Sequence, residues 1–320
     1  MKLTGKILVI ISLTIALAGC STEQLQDTGC QPLHVNGKYL TNAKGDTVVL
    51  RGVSYGWSNW WSQYYNAQSV EWLHNDWHCT VVRAAMGVEP FGAYLQKPDN
   101  SVKLIESVIE GAIKTGIYVI VDWHSHGIHT AEAKQFFGTM AKKYADCPNI
   151  IWEIFNEPVY QPWDDVRNYA IEVIDTIRTH SPNVILVGCP HWNQDLNLVA
   201  EKPIADRKNI MYTMHFYAAT HKDTLRNRYD SALATGLPIF VSESACCEAN
   251  GSGVIDLDEW NKWINWCETN KISWVTWSIS SKEETCSMLL PSASDTGNWL
   301  PTDLRESGKL TREKIIELNN

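Results

Sequence analysis

The sequence predicts one α/β domain with the architecture of a (β/α)8 or TIM barrel and a short β-hairpin in front of it. Eight runs with strand character alternate with helical stretches or long loops after residue 47, and eight such repeats are what a closed parallel barrel requires. No glycine-rich phosphate-binding loop follows any of these runs. A doubly wound sheet, the other common arrangement of parallel strands, is therefore disfavoured.

The predicted elements follow one another in a regular order. Residues 34–40 and 47–50 predict the two strands of the hairpin, joined by a turn at residues 44–46, Lys-Gly-Asp. The barrel strands are predicted at residues 48–54, 80–85, 117–123, 150–155, 184–187, 210–217, 238–242 and 274–279. Helices are predicted at residues 102–115, 131–144, 163–179, 222–235, 257–269 and 310–318. No low-complexity linker interrupts the chain after residue 30, which favours a single domain.

Residues 1–19 have the features of a lipoprotein signal peptide, which is not part of the fold. Two lysines in the first six residues precede an apolar run at residues 7–17 that is too short to cross a bilayer comfortably. Residues 17–20, Leu-Ala-Gly-Cys, resemble the bacterial lipobox, which implies cleavage before Cys20 and lipidation of that residue. A plain secretory signal that happens to end in cysteine is the alternative.

These features predict an exported bacterial lipoprotein that lipid chains on Cys20 anchor in a membrane. Ser21 resembles the sorting signal for the outer membrane in many bacteria, so the outer membrane or the cell surface is the expected location. Residues 20–32 would be the lipidated cysteine and a polar tether, and residues 33–320 the functional domain. Which face of the membrane carries the anchor stays open.

The composition narrows the range of partners. A net charge of −9 argues against nucleic acid, because phosphates favour a basic protein surface. The chain has 15 tryptophans and 12 tyrosines but only 6 phenylalanines. Flat aromatic side chains with a polar edge suit wet surfaces such as sugar faces, and a role in the core is the alternative.

Eight cysteines follow Cys20. Export would allow them to form disulfides, and their pairing cannot be read from the sequence. Cys246 and Cys247 are adjacent, and we expect at least one of them to be bridged to another loop. No Cys-x-x-Cys spacing occurs, so a zinc site is disfavoured.

Two of the predicted strands, at residues 150–155 and 238–242, each lead into a glutamate, Glu157 and Glu243. A carboxylate at the end of a buried strand is costly to desolvate, so it needs a partner or a chemical role. Two such carboxylates suggest the hydrolysis of glycosidic bonds. A buried salt bridge or a helix cap is the alternative.

Other polar and aromatic side chains stand at the same ends of the strands, where the functional residues of a parallel barrel lie. They are Arg83, Asp122, His124, Asn156, His215, Tyr217 and Trp277, and an aromatic loop at residues 55–61 follows the first barrel strand. Six of the eight strands carry such polar residues. A set of isolated core polar groups is therefore a poor explanation.

In this order the residues resemble glycoside hydrolase family 5, the cellulase family. The matching features are Arg83, Asp-Trp-His at 122–124, Asn-Glu-Pro at 156–158, His-Phe-Tyr at 215–217, Glu243, Trp277 and the segment 304–310. The resemblance covers roughly residues 33–315. It implies a retaining endo-β-1,4-glucanase that cleaves internal bonds of a β-1,4-linked polysaccharide or oligosaccharide, without a metal or cofactor. We expect a monomer.

The resemblance also implies a role for each catalytic position. Glu157 would be the general acid/base and Glu243 the nucleophile, with the two carboxyls about 5–5.5 Å apart. Repulsion between the two would raise the pKa of one of them. Arg83 and Tyr217 would orient Glu243 and favour its ionised form.

The remaining positions would contact the sugar. Asn156 would hydrogen-bond the 2-hydroxyl, and Trp277 would stack under the sugar that is cleaved. The side chains implied for the same subsite or for neighbouring glucose units are His124, His215, Trp60, Trp192, Lys282 and Glu284. Packing in the core is the alternative for each tryptophan.

Three departures from the family pattern lie along the predicted cleft. The loop after the first barrel strand lacks the histidine that many relatives carry, Ser244 follows the nucleophile in place of glycine or tryptophan, and no lysine precedes Pro291. They leave the substrate preference open. Mannan, xyloglucan or mixed-linkage glucan is the alternative substrate, and a glycan-binding lipoprotein without catalysis is the alternative function.

Two further polar features have simpler explanations. His124, His126 and His129 have a spacing that could suggest a metal site, but the carboxylate pair needs no metal, and we expect none. Glu153 points the same way as Glu157 by strand alternation, deeper into the barrel. We expect it to be a buried, hydrogen-bonded structural carboxylate.

Overall fold

A two-stranded antiparallel hairpin, β1 (His34–Asn36) and β2 (Tyr39–Thr41), precedes a closed eight-stranded barrel in the computed structural model, which describes residues 29–320. The barrel strands are β3 (Arg51–Tyr55), β4 (Val81–Gly87), β5 (Tyr118–His124), β6 (Ile150–Glu153), β7 (Ile185–Val187), β8 (Ile210–Tyr217), β9 (Ile239–Ala245) and β10 (Trp274–Ile279). All neighbours are parallel, and β10 pairs with β3 to close the ring. The predicted TIM barrel is confirmed.

Helices surround the barrel between the strands. They are α1 (Ala67–Asn75), α2 (Pro98–Thr115), α3 (Thr130–Lys143), α4 (Trp163–Arg178), α5 (Pro190–Asn193), α6 (Leu196–Glu201), α7 (Asp223–Ala234), α8 (Leu257–Asn270) and α9 (Glu306–Asn319), with 3-10 turns at Ser62–Tyr64 and Pro301–Asp303. The side chain of Asn66 caps α1, and Gly116, at a φ of 73°, ends α2. The sequence did not predict α1, α5 and α6, because each is too short to show a helical period clearly.

The hairpin forms at a different turn from the predicted one. Strands β1 and β2 pair across Gly37, which has a φ of 58°, whereas residues 44–46 only close a loop that Thr47 bridges back to Thr41. Asn36 stands directly before Gly37, and Asn-Gly is a stronger hairpin signal than Lys-Gly-Asp. The predicted hairpin in front of the barrel is confirmed, but its strands are β1 and β2. Of the predicted pairing with residues 47–50, the structure has the bridge between Thr41 and Thr47 and the bond from the Val48 N–H to the Leu40 carbonyl at 2.8 Å.

Apolar side chains fill the inside of the barrel at its N-terminal end. They include Val81, Ile120, Ile151, Leu186, Met211, Phe240 and Val275. Leu33 and Leu40 belong to the same cluster, so the hairpin region covers this end. Buried polar side chains lie toward the C-terminal ends of the strands, which places the candidate site there.

The predicted signal peptide, Cys20 and the tether up to residue 28 lie outside the described residues. Within residues 29–320, no helix has the length and apolar character that crossing a membrane would need.

Candidate active site

Glu157 and Glu243 face the same opening at the C-terminal end of the barrel. Glu157 follows β6, and Glu243 lies in β9. One carboxylate oxygen of each and a ring nitrogen of His215, in β8, all lie within 4.8 Å of one another. The two glutamates are thus close enough to act on one bond. This approach of two oxygens is compatible with the roughly 5–5.5 Å carboxyl separation of a retaining pair.

Donors on both oxygens hold Glu243 in one orientation. Arg83 Nη1 is 3.0 Å from Oε2, and the Tyr217 hydroxyl donates to Oε1 at 2.7 Å. Burial, together with the charge of Glu243, raises the pKa of Tyr217 well above its usual range, so the hydroxyl keeps its proton. The carboxylate therefore presents a fixed edge to the cleft.

Arg83 forms ion pairs with buried acidic groups beneath the cleft. Its Nε is 2.7 Å from Glu153 Oε2, its Nη2 is 2.9 Å from Asp122 Oδ2, and the same Nη2 donates to Asn156 Oδ1 at 2.7 Å. Burial would lower the pKa of Arg83, but Asp122, Glu153 and Glu243 outweigh burial and raise it. Glu153 is fully buried and paired, as its place in the strand predicts.

Two histidines contact Glu157. His215 Nδ1 is 2.8 Å from Oε1, His126 Nε2 is 3.3 Å from Oε2, and Ser242 Oγ is 3.0 Å from His215 Nε2. Burial alone would raise the pKa of Glu157, but the hydrogen bonds from His126 and His215 outweigh it, and the pKa is lowered. The pKa values of both histidines are raised. Glu157 thus lacks the raised pKa that repulsion between the glutamates would cause, because the hydrogen bonds from the two histidines stabilise its ionised form.

Aromatic rings enclose His124. Trp57 meets it edge-on at 4.2 Å between ring centroids, and Trp277 stacks parallel to it at 5.2 Å. Burial lowers the pKa of His124 to about 3, and its Nδ1 is 2.6 Å from Asp122 Oδ2. A neutral His124 and Trp277 therefore form one wall of a cleft of about 330 Å³ that also contains both glutamates.

The predicted sugar-contact residues lie on both sides of the glutamates. Trp60 lines the cleft with the ion pair of Lys282 and Glu284, whose charged atoms are 2.5 Å apart. Trp192 lines a second cavity of about 440 Å³ that also borders Glu157. The ring of Tyr160, which is 90% exposed, lies 6.3 Å from that of Trp192. Aromatic side chains therefore line both of the cavities that border Glu157.

The turn that carries Trp192 has an unusual backbone. Residues 191–193 have φ values between 53° and 61°, a region that residues with side chains rarely occupy. The Asn193 side chain donates to the Asn156 carbonyl at 2.6 Å, and the Trp192 N–H donates to the Pro158 carbonyl at 3.0 Å. The turn is thereby attached on both sides of the Asn-Glu-Pro segment.

The donor atoms are already engaged in a way that disfavours a metal. Among the described residues, Glu157, His215 and Glu243 are close enough to be considered as ligands. Both ring nitrogens of His215 and both oxygens of Glu243 contact protein groups instead. The three clustered histidines do not converge, since His124, His126 and His129 contact Asp122, Glu157 and Glu89 respectively.

Sequence reasoning missed several residues of the site. His126 was considered only as a metal ligand, although its place two residues after His124 was a usable signal. The sequence carries no signal for Ser242, which contacts His215, or for Asn193, which holds the turn at Trp192. Their contacts depend on a bulge and a turn that no local sequence pattern announces.

All eight cysteines in residues 29–320 are thiols in the structure. The expected bridge from Cys246 or Cys247 to another loop is therefore not formed here. Cys246 belongs to the main core, whereas Cys247 belongs to a separate small cluster with Cys286.

Comparison with known proteins points to one family. Residues 41–283 match the family model described as Cellulase (glycosyl hydrolase family 5). The chain is 43% identical over 282 residues to Endoglucanase A of Evansella cellulosilytica, covering 85% of this chain and 57% of that protein. It is 38% identical over 323 residues to Endoglucanase 5 of Pectobacterium carotovorum, covering 98% and 63%. The chain thus spans about three fifths of the length of these relatives.

Solved structures give the same picture. A structure from Cytophaga hutchinsonii is 46% identical, with a TM-score of 0.89 over 90% of this chain and 95% of that one. The catalytic domain of Thermobifida fusca endoglucanase Cel5A is 30% identical, with a TM-score of 0.85 over 89% and 97%. A variant of that domain has been solved in complex with cellotetraose.

Proposed function

The chain belongs to glycoside hydrolase family 5, the cellulase family, and we propose that it is a retaining endo-β-1,4-glucanase. It would hydrolyse internal β-1,4-glucosidic bonds by double displacement. The observation that carries the proposal is the approach of Glu157 and Glu243 within 4.8 Å, one beside two histidines and the other beside Arg83 and Tyr217. The endoglucanase names of its relatives support the proposal.

In the first step, a Glu243 oxygen attacks the anomeric carbon and forms an ester with the sugar. Arg83 and Tyr217 hold this carboxylate from two sides, so little orientation is lost in reaching the transition state. Glu157 gives a proton to the leaving oxygen. His126 and His215 lie within hydrogen-bonding distance of Glu157, so a proton can return to Glu157 from either histidine by direct contact.

In the second step, water attacks the same carbon and Glu157 acts as the base. The Glu157 carboxylate is the form that its lowered pKa favours, so it accepts the proton of the water readily. The ester bond to Glu243 breaks, and the sugar leaves with the configuration it had at the start. The two glutamates are then back in their original states.

Substrate contacts follow from the walls of the cleft. The Asn156 amide oxygen accepts from Arg83, so its NH2 group is the part that can donate to a 2-hydroxyl. Trp277 offers its ring to the sugar being cleaved. Trp60, with Lys282 and Glu284, would bind glucose units on one side of the bond, and Trp192 would bind them on the other. Binding on both sides suits a cut within a chain.

Changing the two glutamates separately tests the mechanism. Glu157→Gln and Glu243→Gln should each lower the release of reducing ends from carboxymethyl cellulose, on the order of a thousandfold or more for Glu243. Retardation in a glucan-containing gel should remain. Glu172→Gln, on the exposed face of α4, is the control and should behave as the wild type. Wild-type activity in Glu243→Gln would refute the proposal.

A polymer panel tests the substrate. Rates on carboxymethyl cellulose, mannan, xyloglucan and mixed-linkage glucan should be highest on a β-1,4-glucan, with products of several lengths from cello-oligosaccharides. A higher rate on mannan would keep the mechanism and replace the substrate. Binding without release of reducing ends from any polymer would leave only a glycan-binding protein.

We also propose that the protein is an exported lipoprotein, anchored in a membrane through Cys20 and acting as a monomer. The lipobox-like sequence at residues 17–20 supports the anchor. Labelled fatty acid supplied to expressing cells should enter the wild type and not Cys20→Ala, and the wild type should sediment with membranes. Light scattering in detergent checks the monomer. A wild type that is unlabelled and free in the medium would contradict the anchor.

A further inference from the structure

Two buried cysteines from different loops contact each other below the cleft. Cys247 follows β9, and Cys286 lies in the loop after β10. Both side chains are almost fully buried and lie within interaction distance of each other. They share a small cluster with Ala85, Ala245 and Trp277 that is separate from the main core. The two thiols are therefore held together by the fold.

Backbone hydrogen bonds connect the loops around the two cysteines. The Cys286 N–H donates to the Gly251 carbonyl at 3.0 Å, which connects its loop to the loop after β9. The Cys247 carbonyl accepts from the Ala219 N–H at 3.0 Å. A Cβ placed on Gly251 would lie 3.2 Å from Cys286 Sγ, so the turn closes tightly over the thiol. The loops that carry the two thiols are therefore already held side by side.

The neighbouring Cys246 is a natural contrast. Its side chain belongs to the main core, away from the cluster of Cys247 and Cys286. The interaction with Cys247, together with burial, raises the pKa of the Cys286 thiol.

We propose that Cys247 and Cys286 are a disulfide site and that the thiol form described above is its reduced state. The partner reactant is a low-molecular-weight disulfide such as oxidised glutathione. One cysteine thiolate attacks it to give a mixed disulfide and one released thiol, and the other cysteine then displaces the second thiol. Two electrons pass to the oxidant, two protons leave the cysteines, and one sulfur–sulfur bond forms.

The disulfide would restrict the motion of one loop of the cleft wall. The loop of Cys286 carries Lys282 and Glu284, and the Cys286 thiol donates to Glu284 Oε1 at 3.3 Å. Oxidation removes that donor and leaves the ion pair with Lys282 in place. Closing a loop of about forty residues restricts the unfolded chain. We expect the oxidised form to melt roughly 5–10 °C above the reduced form.

Peptide mapping tests the pairing. The full chain is refolded in a buffer of reduced and oxidised glutathione, free thiols are alkylated in denaturant, and a non-reduced digest is analysed by mass spectrometry. The expected result is one cross-linked pair of peptides, which contain Cys247 and Cys286, with other cysteines alkylated. Free thiols at both positions after oxidation, or a cross-link to any other cysteine, would overturn the proposal.

Matched serine variants assign the bond. Cys246→Ser should keep the cross-linked pair, whereas Cys247→Ser and Cys286→Ser should each lose it and lose the rise in melting temperature. A cross-link that survives Cys247→Ser and disappears in Cys246→Ser would also overturn it. If a variant fails to fold, the wild-type map decides, since it needs no substitution. None of these readouts depends on hydrolysis or on the Cys20 anchor.

Discussion

Arg83 is the residue on which the floor of the cleft depends. Its guanidinium lies 2.7 to 3.0 Å from carboxylate oxygens of Asp122, Glu153 and Glu243, and all four residues are buried. When one partner of such a buried ionic group is removed, the loss of stability exceeds the net stabilisation that the intact group provides. The remaining charges then stay buried without a compensating charge. The same arginine thus stabilises the fold and positions the proposed nucleophile.

Replacing Arg83 should therefore destabilise the whole domain. We expect Arg83→Met to lower the free energy of unfolding by about 3–5 kcal/mol, measured by denaturant titration with tryptophan fluorescence. Arg207→Met, which removes a surface arginine paired with Asp175 and Asp206, is the control and should leave unfolding unchanged. Equal stability of Arg83→Met and the wild type would show that the carboxylates do not need this cation.

His126 gives a prediction about pH. Its hydrogen bond with Glu157 raises the pKa of the histidine, so the pair keeps its last proton to a higher pH than Glu157 alone would. His126→Gln should move the basic limb of the kcat/KM profile to lower pH, by on the order of half a unit or more. His129→Gln, in the same loop but in contact with Glu89, should leave the limb in place. An unmoved limb in His126→Gln would remove His126 from the proton-sharing group.

Some residues of the site could be predicted from the sequence because they lie toward the C-terminal ends of predicted strands. Glu157, Glu243 and Arg83 each stand where a parallel barrel places functional groups. The place of His126 two residues after His124 indicates that it lies near the site, but its contact with Glu157 could not be predicted, because a distant residue shapes the loop. Glu89 Oε1 accepts the N–H groups of His126 and Gly127, both at 3.0 Å. A single sequence does not show such a partner.

At the scale of elements, a bulge between β8 and β9 arranges the site. Met214 lies opposite Val241, but His215 lies opposite Glu243, so β9 has one extra residue there, Ser242. The bulge brings the Ser242 hydroxyl to 3.0 Å from His215 Nε2. The position of both strands was predictable from their apolar runs, whereas the bulge was not, because one extra residue does not show in a run that is buried on both faces.

Replacing Gly188, which lies directly after β7, tests how closely this position must pack against residues 155–158. A Cβ at this position would lie 2.5 Å from the Phe155 carbonyl and 2.9 Å from Pro158 Cδ, on either side of the Asn-Glu pair. Gly188→Ala should therefore shift Glu157 and lower kcat about a hundredfold. Gly138→Ala, in α3 with only a Thr176 methyl nearby at 3.2 Å, is the control. Unchanged kcat in Gly188→Ala would mean that the segment adjusts without effect on Glu157.

At the scale of the whole molecule, stability should depend on pH through His221. The Tyr217 N–H donates to His221 Nδ1 at 2.9 Å, and burial lowers the pKa of this histidine from 6.5 to about 4. The unfolded chain binds this proton first, so the stabilisation is complete above pH 6.5 and is lost as pH falls toward 4.

The measurement is the free energy of unfolding across that interval. The His221 contribution should fall by at most about 1.4 kcal/mol per pH unit. His221→Gln keeps an acceptor for the Tyr217 N–H and should flatten the slope. His34→Gln, on the exposed strand β1, should keep it. An identical slope in His221→Gln would exclude this histidine as the source.

The overall architecture was the most predictable level. Eight repeats of strand and helix leave few alternatives, since each strand must be covered on both faces. The hairpin turn and the contact between Cys247 and Cys286 were not predictable, because they depend on competition between nearby turns and on the meeting of distant loops. Local patterns therefore determined the barrel, while long-range packing determined the details of its open end.

In the proposed double displacement, Glu243 forms a covalent bond with the sugar while Glu157 moves the proton. Incubation with a 2-deoxy-2-fluoro-cellobioside that carries a good leaving group tests for this bond. The fluorine slows both steps, but the good leaving group keeps the first step fast enough to occur. The covalent intermediate should therefore accumulate. Mass spectrometry should show the intact protein gaining one fluorinated cellobiosyl group, and peptide mapping should place the group on Glu243. A group on Glu157, or no group together with a product of inverted configuration, would contradict the account.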